Sequence, residues 1–546
     1  MKKSMIYTLL ALFVCTMAVP AAAQKKQQRS MKELDPEAAV EAVKRVIRKH
    51  QEGGGLNLIE KEIYPQFKKN PDVLTQIAHA FDFQANDTKN AFIYIDRALA
   101  VNPNYVPAFV EKGNILFNWA KTPEDSVEAY SWYDKAISVN PKDSLGYYAY
   151  AKILAKKHDY DGAAKKLEEI LQHDPNQNVY VEIGRIYGVV GLENMDNDAI
   201  RKSLDSYAKA DLSRMTANQI QLYISMLHTV GSSGGGIGAY NRADSILNLV
   251  LPKYPRNAEL NRRMLMTDVA RKRYDHALIA ADNLFNNSDS LKVTVDDYML
   301  NAEAYIGLRR YNDAITAYRK ALDVEIDSAD YKSKALYEYT LRQEDKKKTE
   351  AVFAIASAYD KSGYTDKAIE ELKAFIANRE AQGKLDAPEL QKLANYYLSA
   401  ADIEMNLEVK KSMWKEAYDL YGKMAEVSPE NASNAYYTCI QIGAMYFDPN
   451  TENGFAEKDA EAILKLISVE DTKGETREHR IKKARLEYAL QYLGYYYFNL
   501  TKAPKSSRAN IVKCGHYLKL LGQVNPENNL YKTISANRDY RRKYGL

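Results

Sequence analysis

The stretch AEAYIGLRRYNDAITAYRKAL, residues 302–322, decides the fold. Read at a period of 3.6, it gives two short amphipathic helices separated by a tight turn at Gly307–Tyr311. Tyr298, Ala302 and Tyr305 share one face of the first helix, and Ala314, Tyr318 and Ala321 one face of the second. Ala302 and Ala314 are small, as residues must be where two helices cross most closely. Tyr305 and Tyr318 are bulky and fill the space above and below that crossing. A helix pair of this size cannot bury its apolar faces alone and needs copies of itself stacked on either side.

The copies are found by following the residue equivalent to Ala314. Ala91, Ile95, Ala98 and Pro103 form one set, Ala129, Tyr133, Ala136 and Pro141 the next, and Ala163, Leu167, Ile170 and Pro175 a third. Ser203, Tyr207 and Ala210 follow, then Ala243, Leu247, Val250 and Pro255, then Ala277, Ala281 and Leu284. Beyond the opening stretch come Ala368, Leu372 and Phe375, then Ala417, Tyr421, Met424 and Pro429. Two weaker sets close the series: Ala460, Leu464 and Ile467, and Cys514, Leu518, Leu521 and Pro526. The steps 129 to 163 and 243 to 277 are both 34 residues, and the others are longer. Each proline ends a helix and turns the chain into the next repeat. The asparagine before it, as at Asn102, Asn140 and Asn525, tolerates turn geometry and can bond exposed backbone.

This pattern of small and aromatic residues resembles the tetratricopeptide repeat (TPR) family, although Ile326 stands where the family's proline would follow the opening stretch. The resemblance implies an all-α, right-handed solenoid of about eleven or twelve hairpins. It also implies that the first helix of each pair lines a concave groove for partner peptides. Carried over, that face holds Gln76, Asn114, Tyr148, Lys152, Arg262, Glu303 and Ser357. The family's lysine–asparagine clamp for a C-terminal carboxylate is not matched, because Val110, Ala149, Glu182 and Ile183 stand at its positions.

The chain of 546 residues is too long for one core, which stops growing near roughly 250–300 residues. A hydrophobic fraction of 46% argues for folded protein, and 25 glycines and 16 prolines are few enough to suit helices. Tyrosine is abundant at 42, and it suits repeats whose rings are buried at one end and wet at the other. Met1–Ala23 reads as a secretory signal, with Lys2 and Lys3 ahead of an apolar run and Ala21–Ala23 as the cleavage site. Val14 and Phe13 argue against lipid attachment at Cys15, and no later run is long enough to span a membrane. The expected mature protein is exported, periplasmic or outer-membrane associated. Its net charge falls from +4 to +2, with signs alternating along the helices, so nothing calls for nucleic acid. Cys439 and Cys514 read as small buried hydrophobes more readily than as a disulfide.

Residues 24–35 read as a disordered lead-in, with Asp35 capping a helix that starts at Pro36. A first repeat array is expected over 36–322, a charged insertion over 323–348 that extends a helix or forms an extra one, and a more divergent array over 349–546. Gly231–Gly238 reads as a loop inside a hairpin. Asp-Ser-apolar triplets at Asp125, Asp143, Asp244 and Asp289 look like O-glycosylation acceptors, but Asp and Ser are also preferred helix caps, the reading favoured for most of them.

No metal-ligand spacing, nucleophile motif or phosphate loop stands out, so neither an enzyme nor a cofactor is expected. The expected function is a scaffold or adaptor binding envelope proteins along the groove. The alternative is a glycan-binding part of an outer-membrane uptake system, which would show a lipidated cysteine and clustered exposed aromatics in loops outside the repeats. Composition does not decide the oligomeric state.

Overall fold

A computed structural model of the protein describes residues 34–49, 55–120, 123–289, 292–331, 333–502 and 506–546, without the side chains of 123–126 and 235. The signal segment Met1–Ala23, residues 24–33 of the lead-in and Gly53-Gly54 lie outside the described residues. Described residues contain no β-strand, only an isolated bridge between Asn257 and Asp289. The chain forms two compact units, one up to Thr229 and one from Val230.

In the first unit, Asp35 Oδ1 accepts the Ala38 N–H at 2.7 Å and caps helix Pro36–Lys49. Four helix pairs then follow among the described residues: Pro71–Ala80 with Thr88–Val101, Val106–Trp119 with Pro123–Val139, Ser144–Lys156 with Tyr160–Glu169, and Val179–Asn194 with Asn197–Lys209. In the second unit the pairs begin with Ala258–Ala270 and Tyr274–Asn287, then Val295–Gly307 and Tyr311–Leu322, then Lys334–Lys361 and Thr365–Ala381. They continue with Ala387–Ile403 and Leu407–Val427, Ala432–Ile442 and Glu457–Leu466, and Arg477–Leu500 and Arg508–Val524. Between helices Ala217–Val230 and Ile237–Val250, Gly234 and Gly236 take φ of 95° and 72°, a left-handed turn that glycine adopts without strain.

The small residue that tracks the repeats is buried in every set: Ala91, Ala129, Ala163, Ser203, Ala243, Ala277, Ala314, Ala368, Ala417, Ala460 and Cys514. The bulky residues after it are buried with few exceptions. Ala210 and Phe375 are half-buried, and in the set at Ala460 it is Ile463, not Leu464, that enters the core. Positions three and four residues on lie on the same helix face, so either can fill the site. Where the second helix carries tyrosine, the first helix can need glycine. A Cβ on Gly113 would sit 2.6 Å from the Tyr133 ring, and one on Gly184 would sit 2.9 Å from that of Tyr207.

The hairpin turn at 308–310 is a left-handed C-cap. Arg309 has φ 58°, its N–H reaches Ile306 O at 3.0 Å, and the Arg310 N–H reaches Tyr305 O at 2.9 Å. The same pair of bonds recurs about His158, Lys272 and Gly363. At the repeat ends, Asn102, Asn140 and Asn525 each accept the backbone N–H two residues on, at 3.0, 3.3 and 3.1 Å. Proline and asparagine therefore act together to close these three repeats.

The charged stretch 323–348 supplies the first half of the long helix Lys334–Lys361. Its charges tie it to neighbours: Lys348 Nζ donates to Leu322 O at 2.7 Å and Val324 O at 2.6 Å, and Arg379 reaches Asp345 at 2.8 Å. Of the Asp-Ser-apolar triplets, Asp143 caps helix Ser144–Lys156 through Leu145 N at 2.9 Å. Asp244 does not cap. It lies inside helix Ile237–Val250, buried against Arg271 at 2.6 Å and against Arg273. The side chains of Asp125 and Ser126, and residues 290–291, lie outside the described set. Cys439 and Cys514 are both free and buried, and burial pushes both thiols above their ordinary range. No helix among the described residues is long and apolar enough to cross a membrane.

Candidate functional site

Two consecutive first helices of the second unit, Ala258–Ala270 and Val295–Gly307, pack side by side and leave a cleft of about 610 Å³. Its lining follows from helix periodicity. Glu259, Arg262, Arg263 and Met266 line it from one helix, at the i, i+3, i+4, i+7 positions of a single face. Asp296, Met299, Leu300 and Glu303 line it from the next, each 37 residues further on. Tyr318, from the helix that pairs with the second of these, forms the floor together with Thr294 and Asp297.

The charged groups in this cleft divide into two kinds. Arg262 is fully committed. Its Nε donates to Asp297 Oδ1 at 2.6 Å, one terminal nitrogen donates to Asp297 Oδ2 at 2.9 Å and to Lys292 O at 3.0 Å, and the other bonds Glu259. Asp297 is fully buried and also accepts the Thr294 N–H at 2.9 Å in a capping box. Arg262 thus pins the start of one first helix to its neighbour. Arg263, one residue on, has its Nε buried without a partner, while a terminal nitrogen makes a long 3.8 Å approach to Met266 Sδ. Burial holds its guanidinium below the ordinary value, with Glu259 opposing and the like charge of Arg262 adding. Burial alone raises the Glu303 carboxyl above the ordinary carboxylate range. It pushes the Tyr318 hydroxyl up to about 12, with the charge of Glu303 adding to it. Half-buried Arg263 and buried Tyr318 lie with the more exposed Glu303 at the edge of an apolar strip made by Met266, Met299 and Leu300.

The seven groove residues expected from the sequence fall as follows. Arg262 and Glu303 meet in this cleft, and Ser357, half-buried on helix Lys334–Lys361, is not part of its lining. In the first unit, Gln76 is exposed and donates to Asp72 at 2.8 Å. Asn114 is half-buried, donating to Glu111 at 3.2 Å and accepting the Tyr133 hydroxyl at 3.0 Å. Tyr148 and Lys152 lie one turn apart on helix Ser144–Lys156, with the tyrosine hydroxyl raised by burial and by Glu182 against the opposing charge of Arg214. Arg263, Met266, Met299 and Leu300 were not singled out in the sequence. The signal that finds them is the face shared by 259, 262, 263 and 266 and its repetition 37 residues later. Among the described residues, no group of three or more His, Cys, Asp or Glu is placed to hold a metal ion.

Residues 132–165 and 298–325 match family models of the tetratricopeptide repeat. The second match covers most of the hairpin Val295–Leu322, from residue 298 on, and the first helix of that hairpin forms one wall of the cleft. Over 109 residues the chain is 28% identical to a UDP-N-acetylglucosamine–peptide N-acetylglucosaminyltransferase of Giardia intestinalis, an alignment covering 19% of this chain and 7% of that protein. Over 106 residues it is 29% identical to anaphase-promoting complex subunit 3 of Schizosaccharomyces pombe, covering 19% and 15% respectively. The chain therefore spans only a small part of either relative's length. Among solved structures, the C-terminal part of a TPR repeat-containing protein from Cytophaga hutchinsonii aligns at 16% identity with a TM-score of 0.35, over 57% of this chain and 98% of that one. A tetratricopeptide repeat protein from Parabacteroides merdae aligns at 16% identity with a TM-score of 0.24, over 47% and 94%. The all-α hairpins of this chain include tetratricopeptide repeats at 132–165 and 298–325.

Proposed function

We propose that the protein is a non-catalytic scaffold of the bacterial cell envelope, exported through Met1–Ala23 and gripping a segment of a partner protein in the cleft between helices Ala258–Ala270 and Val295–Gly307. The observation that carries this reading is the unspent polarity of the cleft. The Arg263 Nε is buried without a partner, and the solvent-accessible Glu303 carboxyl lines the cleft beside an apolar strip. An extended segment can supply what these groups lack, namely backbone amides, an opposite charge and an apolar side chain. Because the walls are packed helices, the site is preformed and little ordering is required on this side of the complex. The repeat matches support a protein-binding role, and the N-terminal sequence supports export.

The test is crosslinking in intact cells with a photoreactive residue at Met266, followed by mass spectrometry. Defined envelope proteins should be captured by the wild-type cleft and lost on combining Arg263→Met with Glu303→Gln. Capture that is unchanged by the double variant would refute the cleft as the binding surface. N-terminal sequencing of the protein from fractionated cells should begin at Gln24, and an intact Met1 on the cytoplasmic fraction alone would overturn the export part.

A further inference from the structure

A second concavity, in the first unit, has a different chemistry. Helix Pro71–Ala80 does not stop at a cap but runs into a wider turn, Phe81–Ala85. The turn ends at Asn86, whose φ of 50° is left-handed and whose N–H closes it on Phe81 O, and the Asp87 N–H reaches the same oxygen at 3.0 Å. Such i+5 turns insert a residue and re-aim the side chains around them, and they recur at functional sites. Here the turn buries Asp82, 5% exposed, and projects Phe83, 74% exposed. Asp82 reaches the end of helix Val106–Trp119, accepting the Trp119 indole N–H at 2.7 Å on one oxygen and the Asn118 amide at 2.9 Å on the other. Trp119 is 39% exposed, so the buried carboxylate fixes the edge of an indole whose body stays partly in solvent. His79 stacks on Phe83, with centroids 5.7 Å apart and planes 8° from parallel, and this holds the second ring in place. The concavity has a volume of about 370 Å³ and is lined by Asp82, Phe83, Asn86, Asn118 and Trp119.

We propose that this shelf is a binding site for a neutral carbohydrate ring. The lining contains two aromatic rings, two carboxamides and one carboxylate, and no lysine or arginine. A phosphate or carboxylate ligand would want a cation there, and a wholly apolar ligand would make no use of the carboxamides of Asn86 and Asn118 or of the remaining lone pairs of Asp82. A pyranose matches the set. Its axial C–H face lies on an aromatic ring, whose π face carries negative charge. Its vicinal hydroxyls each donate and accept, as carboxamides and carboxylates require in pairs. The volume falls in the roughly 300–1,000 Å³ range of small-molecule sites. Because Asp82 already orders Trp119 and Asn118, their side-chain ordering is complete before the ligand arrives.

The experiment uses the full mature chain and a panel of neutral hexose hexasaccharides, with binding followed by titration calorimetry and by tryptophan fluorescence. At least one hexasaccharide should bind. Phe83→Ala, at an exposed position, should weaken binding roughly tenfold while leaving the melting profile unchanged. Trp119→Phe, which keeps an aromatic ring but loses the bond to Asp82, should weaken it by a smaller factor. Arg263→Met, in the other unit, should have no effect on it, which separates this site from the protein-binding cleft. Absence of binding by every hexasaccharide, binding indifferent to both aromatic variants, or a proline-rich peptide that binds the shelf while the sugars do not would each overturn the proposal.

Discussion

The hairpins between residues 71 and 209 and those between 258 and 389 share one pattern of small residues but fill the space around it differently. In the first region, Tyr94, Tyr133, Tyr147 and Tyr207 are fully buried. Tyr94 donates to Glu60 at 3.0 Å, Tyr133 to Asn114 at 3.0 Å and Tyr147 to Pro141 O at 3.2 Å. In the second region, arginines bridge buried acids. Arg262 meets Asp297 at 2.6 Å, Arg273 meets Asp268, and Arg379 meets Glu389 at 3.0 Å. A tyrosine contributes area first and a modest hydrogen bond second. A buried ion pair contributes little net but is intolerant of losing one partner, because the other charge is left desolvated and alone. The repeat pattern thus sets where hairpins touch, while the filling sets how each contact responds to damage.

The largest effect should come from breaking an ion pair on one side. Arg262→Met should destabilise the second unit by about 3 kcal/mol, read by hydrogen exchange across residues 258–307. Adding Asp297→Asn, which removes the stranded charge and keeps the cap, should restore most of that loss. In the first region, Tyr133→Phe removes only the hydroxyl and should cost about 1 kcal/mol. If Tyr133→Phe proves the more damaging change, the contrast between the two regions is wrong.

A smaller effect is expected where the regions are alike. Ala314→Leu and Ala129→Leu both place a branched side chain at a fully buried crossing and should each cost roughly 1–3 kcal/mol by overpacking. Losses of similar size in both units would show that the small position is the common element. A loss in only one would show that tyrosine and ion-pair fillings also differ in how far the crossing can relax.

The hairpins were readable because their signal is periodic and local. Ala314, Tyr318 and Ala321 are buried as their 3.6-residue spacing requires. The Asn-Pro ends were readable because their chemistry depends on two or three adjacent residues. The cleft was only half readable. Arg262 and Glu303 could be placed on first helices, but nothing in the sequence shows that Arg262 is tied down by Asp297, 35 residues away, while Arg263 is not. The shelf was not read at all. The turn that exposes Phe83 carries no glycine or proline to mark it, and the Asp82–Trp119 bond spans 37 residues.

Acidity should separate the regions by smaller amounts. The hydrogen bond to Glu111 holds His79 above its ordinary value, against a desolvation that opposes it. A group raised in the folded state adds stability below its unfolded pKa, near 6.5, and loses it as pH rises through the folded value. His79→Gln should therefore remove an increment of roughly 0.5 kcal/mol at pH 5–6 in the first unit and change little at pH 9, since the imidazole is half in solvent. Glu303 is raised by burial, so its ionisation opposes folding once the pH exceeds the ordinary carboxylate range. Glu303→Gln should raise the melting temperature of the second unit slightly at pH 7 and have no effect near pH 3. A loss of stability at pH 7 would mean that Glu303 has a partner in the folded chain.

The smallest effect tests the turn that both regions share. Arg309 and His158 hold the left-handed C-cap at φ 58° and 66°, where Gly363 stands at 83° in the hairpin after Arg309. The left-handed conformation costs an L-residue roughly 1–2 kcal/mol, and glycine escapes that cost but gives back about 0.5–1 kcal/mol in unfolded-state entropy. Arg309→Gly should thus stabilise the second unit by about 0.5 kcal/mol. His158→Gly faces the same backbone terms but also removes the 2.7 Å bond between His158 Nδ1 and the Tyr160 hydroxyl, so its gain should be close to zero. Thermal melts of the two variants would measure that difference directly. If His158→Gly gained as much as Arg309→Gly, the exposed His158–Tyr160 bond would contribute nothing, and the turn would be governed by backbone geometry alone.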